Sequence, residues 1–88
     1  MTEWEKLLEQ ARNSPNNTRF ADACKLAELA GFIRMRQKGS HIWFFHPKIN
    51  NYFDRGISLQ EGNNGKAKAY ELRQLLSRIE RYNLEPIK

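Results

Sequence analysis

Apolar positions recur along this chain at two different periods, and each change of period marks an element. Trp4, Leu7, Leu8 and Ala11 lie at helical spacing among Glu3, Glu5, Lys6, Glu9 and Arg12, which predicts a helix over residues 2–13. Pro15 and the Asn16-Asn17 pair end it. Thr18 is placed to cap a second helix, with Asp22 in its first turn. Phe20, Ala23, Ala27 and Ala30, flanked by Leu26, make the buried side. Gly31 stands where a left-handed residue closes a helix, and Phe32 where the chain folds back on it.

The period then drops to two. Ile33, Met35 and Gln37 alternate with Arg34, Arg36 and Lys38, which predicts a strand over 33–38 with one cationic face. Gly39-Ser40 supplies a two-residue turn, so residues 41–46 return as an antiparallel partner that ends at Pro47. A polar loop holding Asn50, Asn51 and Gly56 leads to a third strand, Ile57 to Gln60. A second loop, residues 61–65, precedes a last helix whose stripe is Leu72, Leu75, Leu76, Ile79 and Tyr82. The predicted order is α-α-β-β-β-α, an α+β chain of one domain over residues 1–88.

Charge sharpens the picture. The net charge is +5 over 88 residues, but residues 1–31 hold four basic and five acidic side chains, and residues 32–88 hold eleven and five. No acid occurs from Phe32 through Phe53, where Arg34, Arg36, Lys38 and Lys48 sit. Such a field suits a polyanion, although a solvated basic surface has the same composition. The single cysteine, Cys24, cannot form an internal disulfide, which fits a reducing compartment. No segment is long and apolar enough to span a bilayer. A soluble cytoplasmic protein without a membrane partner is expected.

The chemistry concentrates in one segment, Arg36-Gln37-Lys38-Gly39-Ser40-His41-Ile42-Trp43-Phe44-Phe45-His46. His41 projects from the start of a strand beside cations. An imidazole exchanges a proton near neutral pH, and Arg36 and Lys38 can hold phosphate. RNA brings its own nucleophile, the 2′-hydroxyl, so a metal-free cleavage needs a base and cations that meet the charge of the transition state. The alternative is an imidazole that merely begins a strand. Ser40 either bonds a phosphate oxygen or shapes the turn. His46 lies five positions from His41 and so faces the other side of a regular strand, which makes it a structural strand end. Two histidines and one cysteine without a carboxylate cluster make a poor metal site, so no cofactor is expected.

Ile42 and Phe44 face the helices on this reading, and Trp43 and Phe45 share the side of His41. These two aromatics stack on bases, form a protein interface, or lie under the first helix through Trp4 and Leu8. Lys66 and Lys68 mark the start of the last helix, where free backbone N–H groups favour an anion. Arg73 falls further along, on the same exposed side. Arg78 and Arg81 read as solvated residues that pair with Glu71, Glu80 or Glu85.

Arg36 through His41, followed by His46-Pro47, resembles the signature of HicA-type toxins. So do Gly65-Lys66-Ala67-Lys68-Ala69-Tyr70 with Arg73-Gln74, and the ends of the second helix, Arg19-Phe20 and Gly31-Phe32. The likeness covers about residues 18–84, with residues 1–14 as an N-terminal helical extension. It implies a fold like the double-stranded RNA-binding domain, in which a three-stranded antiparallel sheet packs on helices. It implies a toxin that cleaves mRNA without metal, with His41 as the catalytic group. RNA contacts would come from Arg36, Lys38, Gly39, Ser40, Lys66, Lys68 and Arg73. A HicB-like antitoxin would bind and block it; Trp43 and Phe45 are read beside this as an antitoxin or other hydrophobic interface. Ile57-Ser58-Leu59-Gln60 lacks the Pro-x-His element of short members, and Ala69 replaces a usual proline. A non-catalytic RNA-binding module and a basic protein-interaction domain are the alternatives.

Overall fold

A computed structural model describes residues 1–86 of the chain. The first helix, α1 (Glu3–Asn13), opens on a reciprocal cap: the Glu5 N–H donates to Thr2 Oγ1, and the Thr2 N–H donates to the Glu5 carboxylate, both at 3.2 Å. α1 buries Ala11 and half-buries Trp4, Leu7 and Leu8 against α2 (Phe20–Leu29) and α3 (Ala69–Arg81).

The cap of α2 corrects an expectation. Arg19 occupies the N-cap position and makes no side-chain cap bond. Thr18 is buried, its hydroxyl donates to the Ser14 carbonyl at 2.9 Å, and its own carbonyl accepts from the Ala67 N–H. The 3₁₀ turn at Pro15–Asn17 commits the threonine to closing that turn. The other end of α2 forms as expected. Gly31 has φ +101°, the Phe32 N–H donates to the Ala27 carbonyl, and the Gly31 N–H donates to that of Glu28, both at 3.0 Å. These two bonds are a Schellman motif, and they satisfy carbonyls that the helix end leaves open.

Three antiparallel strands follow: β1 (Ile33–Lys38), β2 (His41–Phe45) and β3 (Gly56–Gln60), in spatial order β1-β2-β3. The β1–β2 hairpin turns on Gly39 and Ser40, with Gly39 at φ +61°, a conformation open to glycine. All three helices share one side of the sheet, where Ile42, Phe44, Ile57 and Leu59 are buried with Leu26 and Leu75. Among the described residues, no element of the fold covers the other face.

β1 does not keep the strict alternation its sequence implies. Arg34 pairs with Phe44, and Arg36 pairs with Trp43, so one extra residue, Met35, bulges between them. Directly opposed residues share a face. Arg34 therefore lies on the helix side, where its Nε is 3.4 Å from a Glu28 oxygen, while Arg36 and Lys38 take the open side. The single cationic face expected of β1 is thus split, and Ile33, paired with Phe45, joins the open side.

Two buried polar groups fasten the ends of the sheet. His46, 4% exposed, sits between the Ala30 carbonyl, 3.0 Å from Nε2, and the Lys48 N–H, which donates to Nδ1 at 3.1 Å. An acceptor at Nδ1 and a donor at Nε2 define the Nε2–H tautomer. His46 is the structural strand end that its position implied. Asp54, in the β2–β3 loop, is the second. It accepts from Tyr82 Oη at 2.5 Å and Arg81 Nη1 at 2.8 Å, and Arg78 Nη2 lies 3.4 Å from its other oxygen. Arg78 and Arg81 are therefore not simple solvated residues paired along their own helix. They reach off it to a buried carboxylate that no helical spacing reveals. The Tyr82 bond, then the guanidinium groups, hold the Asp54 carboxyl below its ordinary range, and the same bond pushes the Tyr82 hydroxyl up.

Among the described residues, no helix is long and apolar enough to cross a membrane. α3 ends as α2 does, with Asn83 left-handed at φ +51° and the Leu84 N–H donating to the Ile79 carbonyl.

Candidate nucleic-acid interface

The open face of the sheet is built from alternate residues of three strands. β2 contributes His41, Trp43 and Phe45. Their partners across β1 are Lys38, Arg36 and Ile33, and across β3 they are Gln60, Ser58 and Gly56. The face has a cationic end at the hairpin and an apolar end at the β2–β3 loop.

At the cationic end the His41 imidazole is half-buried and stacks on the Trp43 indole, with ring centroids 3.9 Å apart and planes 27° apart. The Arg36 guanidinium lies 4.5 Å from the same indole centroid, within range of a cation–π attraction. The aromatic surface of Trp43 is thus already engaged by two protein groups. Nε2 of His41 has neither solvent contact nor a hydrogen-bond partner among the described residues.

Gln60, opposite His41, is held from two directions. Its side-chain oxygen accepts from Lys68 Nζ at 2.9 Å, and its backbone N–H donates to Glu71 Oε1 at 2.8 Å. The second Glu71 oxygen accepts from Ser58 Oγ at 3.3 Å. Glu71 is 3% exposed, and its carboxylate straps Ser58 and Gln60 of β3 to α3. Through Gln60 the structure brings Lys68 to the same end of the face as His41, Lys38 and Arg36.

The remaining expected residues divide. Gly39 and Ser40 form the exposed turn at this end, and the Ser40 carbonyl accepts from the Glu61 N–H at 3.3 Å. Lys66 lines a polar recess with Lys68, Asn16 and Asn63, just before α3. Arg73 is not on that side. It lies among Arg12, Pro15, Ser77 and Glu80, in the groove between α1 and α3. Arg73 lies five positions beyond Lys68, and at about 100° per residue that rotation carries the arginine off the lysine's side.

Helix α1 packs on α2 and α3, so it does not cover Trp43 and Phe45 as one expectation had it. At the apolar end Phe45 lies in a shallow recess with Met35, Tyr52, Phe53 and Arg55. Tyr52 and Phe53 are 79% and 82% exposed, in an edge-to-face pair with centroids 5.5 Å apart. Sequence reasoning missed Gln60, Glu71, Tyr52, Phe53 and Arg55 as parts of this face. Only the aromatic pair had a local signal, two adjacent rings inside an asparagine-rich loop with no periodic partner to bury them.

The chain matches no protein-family model, no curated protein and no solved structure.

Proposed function

We propose that this protein is a HicA-like toxin, a metal-independent endoribonuclease of a toxin–antitoxin pair. One observation carries the reading. A half-buried imidazole stands on an open sheet face with Lys38 beside it, Arg36 against its stacking partner, and Lys68 hydrogen-bonded to Gln60, its neighbour across the sheet. The run from α2 to α3, with helices on one face of a three-stranded antiparallel sheet, supports a fold like the double-stranded RNA-binding domain.

In this reading Nδ1 of His41 takes the proton of a ribose 2′-hydroxyl, because Nε2 is closed to solvent. A neutral ring that accepts at Nδ1 holds its own hydrogen on Nε2. The 2′-oxygen attacks phosphorus, the bond to the 5′-oxygen breaks and that oxygen takes a proton from solvent water, and Arg36 and Lys38 stabilise the charge that grows on the phosphoryl oxygens. A HicB-like antitoxin would neutralise the toxin by covering the same face, with Trp43 and Phe45 beneath it.

The test is cleavage of a single-stranded transcript by the purified protein and by His41→Ala, in the presence of a chelator. A positioned general base contributes roughly 10²–10⁴-fold, so the variant should lose activity by that order and keep its melting curve. Equal cleavage by both proteins rejects His41. A second reading, an RNA-binding module without catalysis, is favoured by the enclosure of Nε2 and its stack on Trp43. RNA binding by the wild type with no cleavage at all would establish it.

A further inference from the structure

The β2–β3 loop combines a rigid base with an exposed tip. Asn51 Oδ1 accepts from the N–H groups of Phe53 and Asp54 at 2.9 and 3.1 Å, and the Asn51 carbonyl accepts from the Arg55 N–H at 3.0 Å. Asp54 is fixed to α3 by Tyr82 and Arg81. Between these anchors Tyr52 and Phe53 stand almost wholly in solvent. A loop tied down on both sides of two exposed rings presents them at little entropic cost, as recognition surfaces do.

The surroundings indicate what those rings meet. Arg55 lies in the same recess, Arg36 is further along the face, and no acid occurs from Phe32 through Phe53. The nearest acid, Asp54, already holds two arginines. An anionic ligand with planar groups fits this combination. Phe45 lies four strand residues from His41, or ~14 Å at the usual rise per residue, a span that a few extended nucleotides cover. In an A-form duplex the bases are stacked inward, out of reach of such rings, whereas unpaired bases can splay onto them.

We infer that Tyr52 and Phe53, backed by Phe45, form a nucleobase-stacking subsite for single-stranded RNA at the far end of the face from His41. The subsite rests on the RNA reading proposed above and extends it to the strand form of the substrate. Trp43 is not part of the subsite, since its indole is engaged by His41 and Arg36.

The experiment uses a fluorescent 2′-O-methyl oligouridylate of about ten nucleotides, a length within the usual single-strand site sizes. It lacks the nucleophilic hydroxyl, so wild-type protein can be titrated without cleavage. The double variant Tyr52→Ala/Phe53→Ala should bind it between about fivefold and a hundredfold more weakly, as loss of base stacking does, with an unchanged dependence on salt. Tyr52→Phe should bind as wild type. Arg55→Ala should instead reduce the slope of log affinity against log salt by roughly 0.7. Wild-type affinity in the double variant, or an equal loss on a matched duplex, overturns the subsite, leaves the patch to a protein partner, and does not touch His41. Failure of the wild type to bind the oligonucleotide at all overturns the RNA reading itself.

Discussion

Gly31 and His46 meet face to face where α2 ends and β2 stops: a β-carbon at Gly31 would stand 2.7 Å from Nε2 of His46. The glycine is therefore required twice, by its φ of +101° and by the ring packed against it. The ring cannot retreat, because Ala30 and Lys48 hold both nitrogens and the Phe32 ring packs T-shaped against it, with centroids 5.1 Å apart. Gly31→Ala should destabilise the protein by more than ~2 kcal/mol, from strain and overlap together. His46→Ala should cost roughly 2–4 kcal/mol, from two orphaned backbone groups and the lost ring. Urea denaturation of each variant measures both.

Trp43 acts on the proposed reaction through His41, as a positioning residue. Trp43→Ala removes the surface on which the imidazole rests, and a freed ring samples unproductive orientations. Turnover should fall by about tenfold to a hundredfold, with the substrate KM little changed. Trp43→Phe retains an aromatic platform and should recover most of the rate. Single-turnover kinetics separate these outcomes, and an equal loss for both variants would point to indole-specific packing instead.

The Asp54 cluster ties stability to pH at both ends of the scale. The Asp54 carboxyl is lowered in the folded protein, first by Tyr82 and then by its arginines. Its contribution is present in full above the unfolded value of about pH 4 and is lost as pH falls through the folded value. Tyr82 is raised, so its contribution is present below its unfolded value of about pH 10 and is lost as pH rises through its higher folded one. Wild-type Tm should drop in acid more steeply than that of Asp54→Asn, whose plateau at neutral pH should be lower. Parallel Tm curves below pH 4 would show that the cluster does not act this way.

Cys24 is buried, and burial pushes its thiol up to about 11 in spite of the nearby Arg34. At pH 8 its thiolate fraction is lower than that of a free thiol by on the order of 10²-fold. An aromatic disulfide reagent should therefore label the native protein at least that much more slowly than the urea-unfolded chain. Labelling at equal rates would mean that α2 opens readily.

The parts of the fold legible in the sequence are those set by local chemistry. Gly31 with Phe32 announced the end of α2, and Gly39-Ser40 announced the hairpin. The alternation of His41 through Phe45 placed His41, Trp43 and Phe45 together on one side of the sheet. What escaped depended on partners distant in sequence. Thr18 has the profile of a cap, but its hydroxyl answers Ser14 and its carbonyl answers Ala67. Arg78 and Arg81 have acids within helical reach, yet both turn to Asp54, more than twenty residues away. Arg73 is the exception: its spacing from Lys68 already turns it off the lysine's side, toward the groove it shares with Arg12 and Glu80. Tyr52 and Phe53 gave an ambiguous signal, since adjacent aromatics in a polar loop occur both in cores and at binding surfaces.

The extra residue at Met35 makes β1 a phase shifter. Upstream of it Arg34 falls on the helix side and is tethered to Glu28; downstream Arg36 falls on the open side and reaches the indole under His41. Two arginines with nearly identical neighbours in the chain thus have unrelated duties. The bulge is what lets two arginines two positions apart serve opposite faces. Deleting Met35 would remove the unpaired residue and leave Arg34 opposite Phe44 and Arg36 opposite Trp43. A strand that kept Met35 but lost the bulge would instead put both guanidinium groups on one face, and either Glu28 or the indole would go without its partner.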